Sequence, residues 1–233
     1  WLGEVRGSTE VIVSEIRPIP LYQHVLIGDR LVDLFREQGR INPEILGLER
    51  EALRQVRTPR HRRERFGDGD SRLTRPDIIE KLQRENLLPA ITFIFSRAGC
   101  DAAVKQCLAA GIKLTNTEER LEIAQTAARY TQNLAEEDLE VLGYRDWLIA
   151  LERGIAAHHA GLLPSFKGAV EDLFKRGLVK AVFATETLAL GINMPARTVV
   201  LEKLTKWNGE AHVSITPGEY TQLTGRAGRR GID

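Results

Sequence analysis

Three short runs of apolar residues constrain this chain more than any other feature: ITFIF at 91–95, VKAVFA at 179–184 and TVVLE at 198–202. A continuous apolar run of this length, bounded by polar residues or glycine, is what a strand buried on both faces requires, and such strands belong to parallel sheets. GIAAHH at 154–159 reads as a fourth strand. Between the strands lie helical patterns. DIIEKLQRENL at 77–87 has helical spacing, and AGCDAAVKQCLAAG is an alanine-rich helix ending at Gly111. PSFKGAVEDLFKRG has Pro164 in its first turn and Gly177 at its end. Residues 115–153 read as an inserted pair of helices, although Thr117 followed by Arg120 makes no capping box. Strands alternating with helices predict an α/β domain of three layers with a mainly parallel sheet.

Residues 1–77 read differently. Pro18 and Pro20 make the apolar stretch up to residue 28 an extended connection. From Arg50 to Asp77 there are nine arginines against five acids and almost no apolar periodicity, the pattern of a solvated linker or of an arm that touches nucleic acid. The expected organisation is a segment and arginine-rich linker over 1–77, leading in from an upstream domain, and one folded domain over 78–233.

Of the 233 residues 42% are hydrophobic, enough for a sizeable core. A net charge of +1 means that any affinity for nucleic acid must come from local clusters of Lys and Arg. Cys100 and Cys107 share one helix face and match no Cys-x-x-Cys spacing, which predicts buried thiols in a reducing cytosol. No apolar run approaches 18 residues and the start is not signal-like, so a cytoplasmic protein with no membrane partner is expected.

In open parallel sheets ligands bind beyond the carboxyl ends of the strands. Ser96 and Arg97 follow the first strand, His158, His159, Ala160 and Gly161 close the second, and TETLALGINMPA at 185–196 follows the third. Hydroxyls, guanidinium groups and exposed backbone suit phosphodiester oxygens. The alternatives are that Ser96 and Arg97 merely cap a surface helix and that the two histidines are packed core residues. Adjacent histidines lack the i, i+4 spacing of a helical metal pair, so no metal site is expected. QLTGRAGRRG at 222–231, read as a helix, places Gln222, Arg226 and Arg229 on one face. Helical glycine is unfavourable, so Gly225 and Gly228 point to bare backbone beside guanidinium forks, an arrangement suited to polyphosphate. KLTKWNGEAHVSI at 203–215 reads as a hairpin with a type I′ turn at Asn208 and Gly209.

Together these segments resemble the second RecA-like domain of a superfamily 2 DExH-box helicase. FSRAGCD resembles motif IV, HHAGLLPSFK motif IVa, ATETLALGINMPA motif V and QLTGRAGRRG motif VI. The forms HHAGLLP and TETLALGINMPA resemble the superkiller-like branch and, over the whole chain, its bacterial HelY-type helicases. The resemblance implies an ATP-dependent helicase acting on single-stranded RNA or DNA, RNA being favoured. Arg226 and Arg229 would be arginine fingers, and Gly191, Asn193 and Gln222 would lie at the nucleotide. Ser96, Arg97, His159, Gly161 and Thr185 would hold the nucleic-acid backbone, with Trp207 stacking on a base beside the hairpin turn. No GxxxxGK[ST] loop and no Asp-Glu-x-His motif occurs in the 233 residues. The chain is therefore expected to be one part of a longer helicase, inactive alone, with ATP and Mg²⁺ held by an upstream RecA-like domain of the same polypeptide. The competing class is an adaptor module that binds nucleic acid without hydrolysis.

Overall fold

The computed structural model describes residues 4, 19–36, 39–57, 73–189, 194–207 and 209–228. Its centre is a four-stranded parallel sheet of β3 (Ala90–Phe93), β4 (Ile155–His158), β5 (Ala181–Ala184) and β6 (Thr198–Leu201), in the order β4-β5-β3-β6. Phe93 pairs with Ala184 and Leu201, and His158 also pairs with Ala184, so all four carboxyl ends lie along one edge. Every residue of β3, β4 and β5 is buried, as continuous apolar runs demand of a sheet covered on both faces.

Side chains alternate across the sheet and divide the core in two. Ala90, Ile155 and Phe183 pack with Ile79, Leu82, Cys100, Ala103 and Cys107 of α2 (Arg75–Arg84) and α3 (Arg97–Ala109). Ile91, Phe93 and Val182 pack with Ile123, Leu151, Val170 and Leu173 of α4 (Thr117–Thr131), α6 (Tyr144–Glu152) and α7 (Pro164–Lys175). The result is the three-layer α/β architecture of a RecA-like domain. Both thiols are free, and burial pushes Cys100 up to about 12 and Cys107 up to about 11.

The expected pair of inserted helices is three, because the short α5 (Glu136–Val141) lies between α4 and α6. These helices also cover a sheet face, since Ile123, Ala127 and Leu151 are fully buried. A capping box does open α4, one residue earlier than Thr117. The Asn116 side chain accepts from the Glu119 amide at 2.8 Å, and Glu119 accepts from the Asn116 amide at 2.8 Å.

The region before residue 77 holds more regular structure than its composition suggests. β1 (His24–Ile27) and β2 (Arg30–Asp33) form an antiparallel hairpin in which Ile27 faces Arg30, leaving Gly28 and Asp29 as the turn. Gly28 has φ +58°, a conformation that glycine adopts without steric cost. Glu44–Arg57 forms α1, so the first part of the arginine-rich stretch is helical; residues 58–72 lie outside the described residues. Among the described residues no helix is long and apolar enough to cross a membrane.

Candidate functional site

The three loops that leave β3, β4 and β5 converge because their strands are hydrogen-bonded neighbours. The amide of Ile94 donates to the Ala184 carbonyl at 2.8 Å and that of Thr185 to the His158 carbonyl at 3.3 Å. Ser96 caps α3, accepting from the Gly99 amide at 3.1 Å, and a side chain at Gly99 would begin 2.8 Å from Ile94 Cγ2. Glycine is thus needed for the tight departure from the strand. Ser96 and Arg97 are exposed at the sheet edge.

The two histidines are buried and both are bonded. His158 meets Glu171 of α7 at 3.0 Å, and burial lowers its pKa, partly offset by that carboxylate. Among the described residues its Nδ1 has no hydrogen-bond partner. His159 Nδ1 accepts from the Gly161 amide at 3.1 Å, which places the ring proton on Nε2, 3.0 Å from Asp101 Oδ1. Both ring nitrogens of His159 are therefore engaged within the chain and shape the turn to the exposed Gly161. A side chain at Gly161 would begin 3.1 Å from His159 Nδ1 and 3.6 Å from Arg97 Cδ, so these three expected residues do come together. Thr185 is buried, and its hydroxyl lies 2.9 Å from that of Thr187.

Gln222 and Arg226 do not share a helical face. α8 (Pro217–Thr224) stops with Gly225 as its cap, so Gln222 is helical and exposed while Arg226 lies beyond the end. The backbone is drawn out of the helix by the segment that precedes β6. The Ala196 amide donates to the Arg226 carbonyl at 2.9 Å, the Gly228 amide donates to the Ala196 carbonyl at 2.7 Å, and Ala196 and Ala227 form a parallel bridge. The Arg226 guanidinium donates to the Ala189 carbonyl. Gly228 has φ +90°, and a side chain there would begin 3.0 Å from Ile19 Cγ2, so its glycine answers a backbone demand as well. Gly191, Asn193 and Arg229 lie outside the described residues.

β7 (Thr205–Trp207) and β8 (His212–Ser214) form the expected hairpin with a longer connection. Trp207 pairs with His212, leaving four residues between the strands where a two-residue turn was expected. The two rings meet edge-on with centroids 5.3 Å apart, and a cross-strand pair of this kind favours that register. Trp207 is exposed.

Sequence reasoning missed the partners that organise these loops. Asp101 orients His159, Glu171 holds His158, and Lys206 lies between Glu186 and Glu219. These partners stand 13 to 58 positions away, so no local spacing announces them. Among the described residues no three His, Cys, Asp or Glu side chains gather where they could hold a metal.

Residues 101–231 match the helicase conserved C-terminal domain. Across its whole length the chain is 57% identical to a probable helicase HelY of Mycobacterium leprae, covering 27% of that protein. It is likewise 37% identical along its full length to the chloroplastic DExH-box ATP-dependent RNA helicase DExH15 of Arabidopsis thaliana, covering 22%, and 33% identical to Superkiller complex protein 2 of Mus musculus, covering 20%. The chain thus spans about a quarter of the length of these relatives, or less.

Proposed function

Because this chain belongs to the helicase conserved C-terminal domain family and is homologous to superkiller-like DExH helicases, we propose that it is the second motor domain of an ATP-dependent helicase of the cytoplasm. The observation that carries this reading is the backbone bridge from Ala196 to Ala227, which joins the segment between β5 and β6 to QLTGRAGRRG. One unit then offers loops suited to a nucleic-acid backbone and arginines suited to phosphate.

Ser96 and Arg97 supply donors for phosphodiester oxygens, and His159 acts by holding through its amide the turn at exposed Gly161, where no side chain stands in the way of a strand. Such contacts position a strand without reading its bases. Thr185 contributes from the floor of the site. RNA is proposed over DNA because the Arabidopsis relative is named an RNA helicase. Trp207 offers a ring on which a base can stack where strands part.

On the nucleotide side, Arg226 and Arg229 are proposed to stabilise charge on the γ-phosphate, an effect worth about 10³ or more in rate in related phosphoryl transfers. Arg226 does so while bonded to the segment that contains Gly191 and Asn193, so arginine placement and nucleotide contact are linked. Gln222 aligns the pair from the last turn of α8. Magnesium accompanies ATP and neutralises its phosphates, and its ligands are proposed to come from another domain of the same polypeptide, as is the loop that cradles the phosphates.

The test is ATP turnover by the 233-residue chain alone, in saturating single-stranded RNA, beside the full-length polypeptide. The chain is expected to bind RNA without turnover and the full-length polypeptide to hydrolyse ATP. If the full-length polypeptide binds RNA and never hydrolyses ATP, the adaptor reading replaces this one. Turnover by the chain alone that survives repurification would show that no second domain is needed.

A further inference from the structure

Lys206 ties the β7–β8 hairpin to two neighbouring elements. Successive strand residues face opposite ways, so exposed Trp207 and half-buried Lys206 point to opposite sides of the ribbon. Lys206 Nζ lies 2.8 Å from Glu186 Oε2 and 2.5 Å from Glu219 Oε1. Glu186 opens the short turn Glu186–Ala189, directly after Thr185. Glu219 closes the capping box of α8 with its other oxygen, which accepts from the Thr216 amide at 2.8 Å and the Thr216 hydroxyl at 3.0 Å. One ammonium group therefore joins the hairpin to the loop at the strand-grip edge and to the helix that carries Gln222 and leads to Arg226.

Resting on the helicase reading above, we propose that Lys206 is a positioning residue that couples nucleotide-driven movement of α8 to the hairpin where strands separate. A lone exposed ion pair would be a weak coupler. Here two carboxylates share one nitrogen, and one of them is already oriented by cap hydrogen bonds, so little side-chain freedom remains to be lost on pairing. Without Lys206 the hairpin keeps its own ladder, and the Ile215 amide still donates to the Leu204 carbonyl at 2.9 Å. What it loses is the ionic connection through which α8 and the Glu186 turn act on it.

The experiment uses the full-length polypeptide and a tailed RNA duplex, and reads base pairs unwound per ATP hydrolysed. Lys206→Ala should lower that ratio about threefold to tenfold, the scale of two cooperating charge pairs, with RNA-stimulated ATP turnover within about twofold of wild type. Lys206→Arg should restore the ratio, because a guanidinium fork serves two carboxylates. Glu186→Gln should lower it by less than Lys206→Ala. A ratio unchanged in Lys206→Ala, or unwinding and turnover that fall in equal proportion in both Lys206 variants, overturns the coupling role and leaves the helicase reading intact. A wild-type polypeptide that neither unwinds nor hydrolyses sinks both.

Discussion

The loops that leave β3, β4 and β5 and the stretch from Thr205 to Gly228 belong to one domain, and they are held by different forces. The first set springs from strands whose Phe93, His158 and Phe183 are almost without solvent exposure, and the loops inherit their positions from that packing. In the second, the hairpin strands alternate between exposed and half-buried, and α8 buries only Leu223. Leu223 and Ile215 reach the core, and the other attachments are polar: Lys206 to Glu186 and Glu219, the Ala196–Ala227 bridge, and the Tyr220 hydroxyl donating to Gln23 at 2.6 Å. Burying a large apolar side chain contributes about 1.5–3 kcal/mol, whereas an exposed ion pair contributes about 0.2–1 kcal/mol. The difference suits the roles proposed: a strand is gripped by loops that do not yield, and ATP acts on a segment whose ties can be exchanged at low cost.

The largest expected effect lies at Arg229, in the run QLTGRAGRRG that the second region leads into. Arg229→Ala in the full-length polypeptide should lower ATP turnover about 10³-fold or more, while RNA affinity measured without nucleotide stays within about a few fold. If strand binding is lost and hydrolysis survives, motif VI belongs with the grip and the two regions are not divided by task. Stability should show the opposite ranking. Phe183→Ala should cost about 3–5 kcal/mol in urea unfolding of the chain, from lost transfer energy and the cavity left behind, and Trp207→Ala less than about 0.5 kcal/mol. Similar costs at the two positions would break the comparison.

The smallest effects are expected from pH, and they separate the regions in order. Burial holds His158 below its ordinary value, so the fold favours its neutral form. That contribution is complete above the unfolded value of about 6.5 and is lost as pH falls through the lowered folded value. The urea midpoint should therefore drop between pH 7.5 and 5.5, and drop less in His158→Gln. Lys206, and then Thr216, hold the Glu219 carboxyl down at about 2. Its contribution is present above the ordinary value of about 4.3 and fades only as pH falls towards about 2. Carboxyl titration by NMR checks this, and a Glu219 midpoint near 4.3 would mean that the Lys206 bridge does not persist in solution.

Much of the fold was legible before any coordinates, for a local reason. ITFIF and VKAVFA are the buried strands their patterns require, TVVLE is a strand too but half-buried at the edge of the sheet, and the helices between them carry their own stop and start signals in Pro164, Gly111 and Gly177. The β1–β2 hairpin was overlooked although HVLI and RLVD flank a two-residue Gly28–Asp29 turn. There the prolines before it and the arginines after it weighed more heavily than a readable signal. The capping box at Asn116 and Glu119 was equally local and equally readable.

By itself the sequence determined the strand and helix periods, the α/β class and the motifs that resemble a helicase, because each depends on residues within a few positions of one another. Only the tertiary structure decided that α8 ends at Thr224, since the competing partner of its backbone is Ala196, some thirty residues earlier. It likewise decided that His159 engages both ring nitrogens inside the chain and that one lysine ties the hairpin to the Glu186 turn and to α8. Asp101, Glu186 and Glu219 reach those positions through the order in which four strands pair, and that order is set by how two apolar faces are covered, which no local spacing encodes.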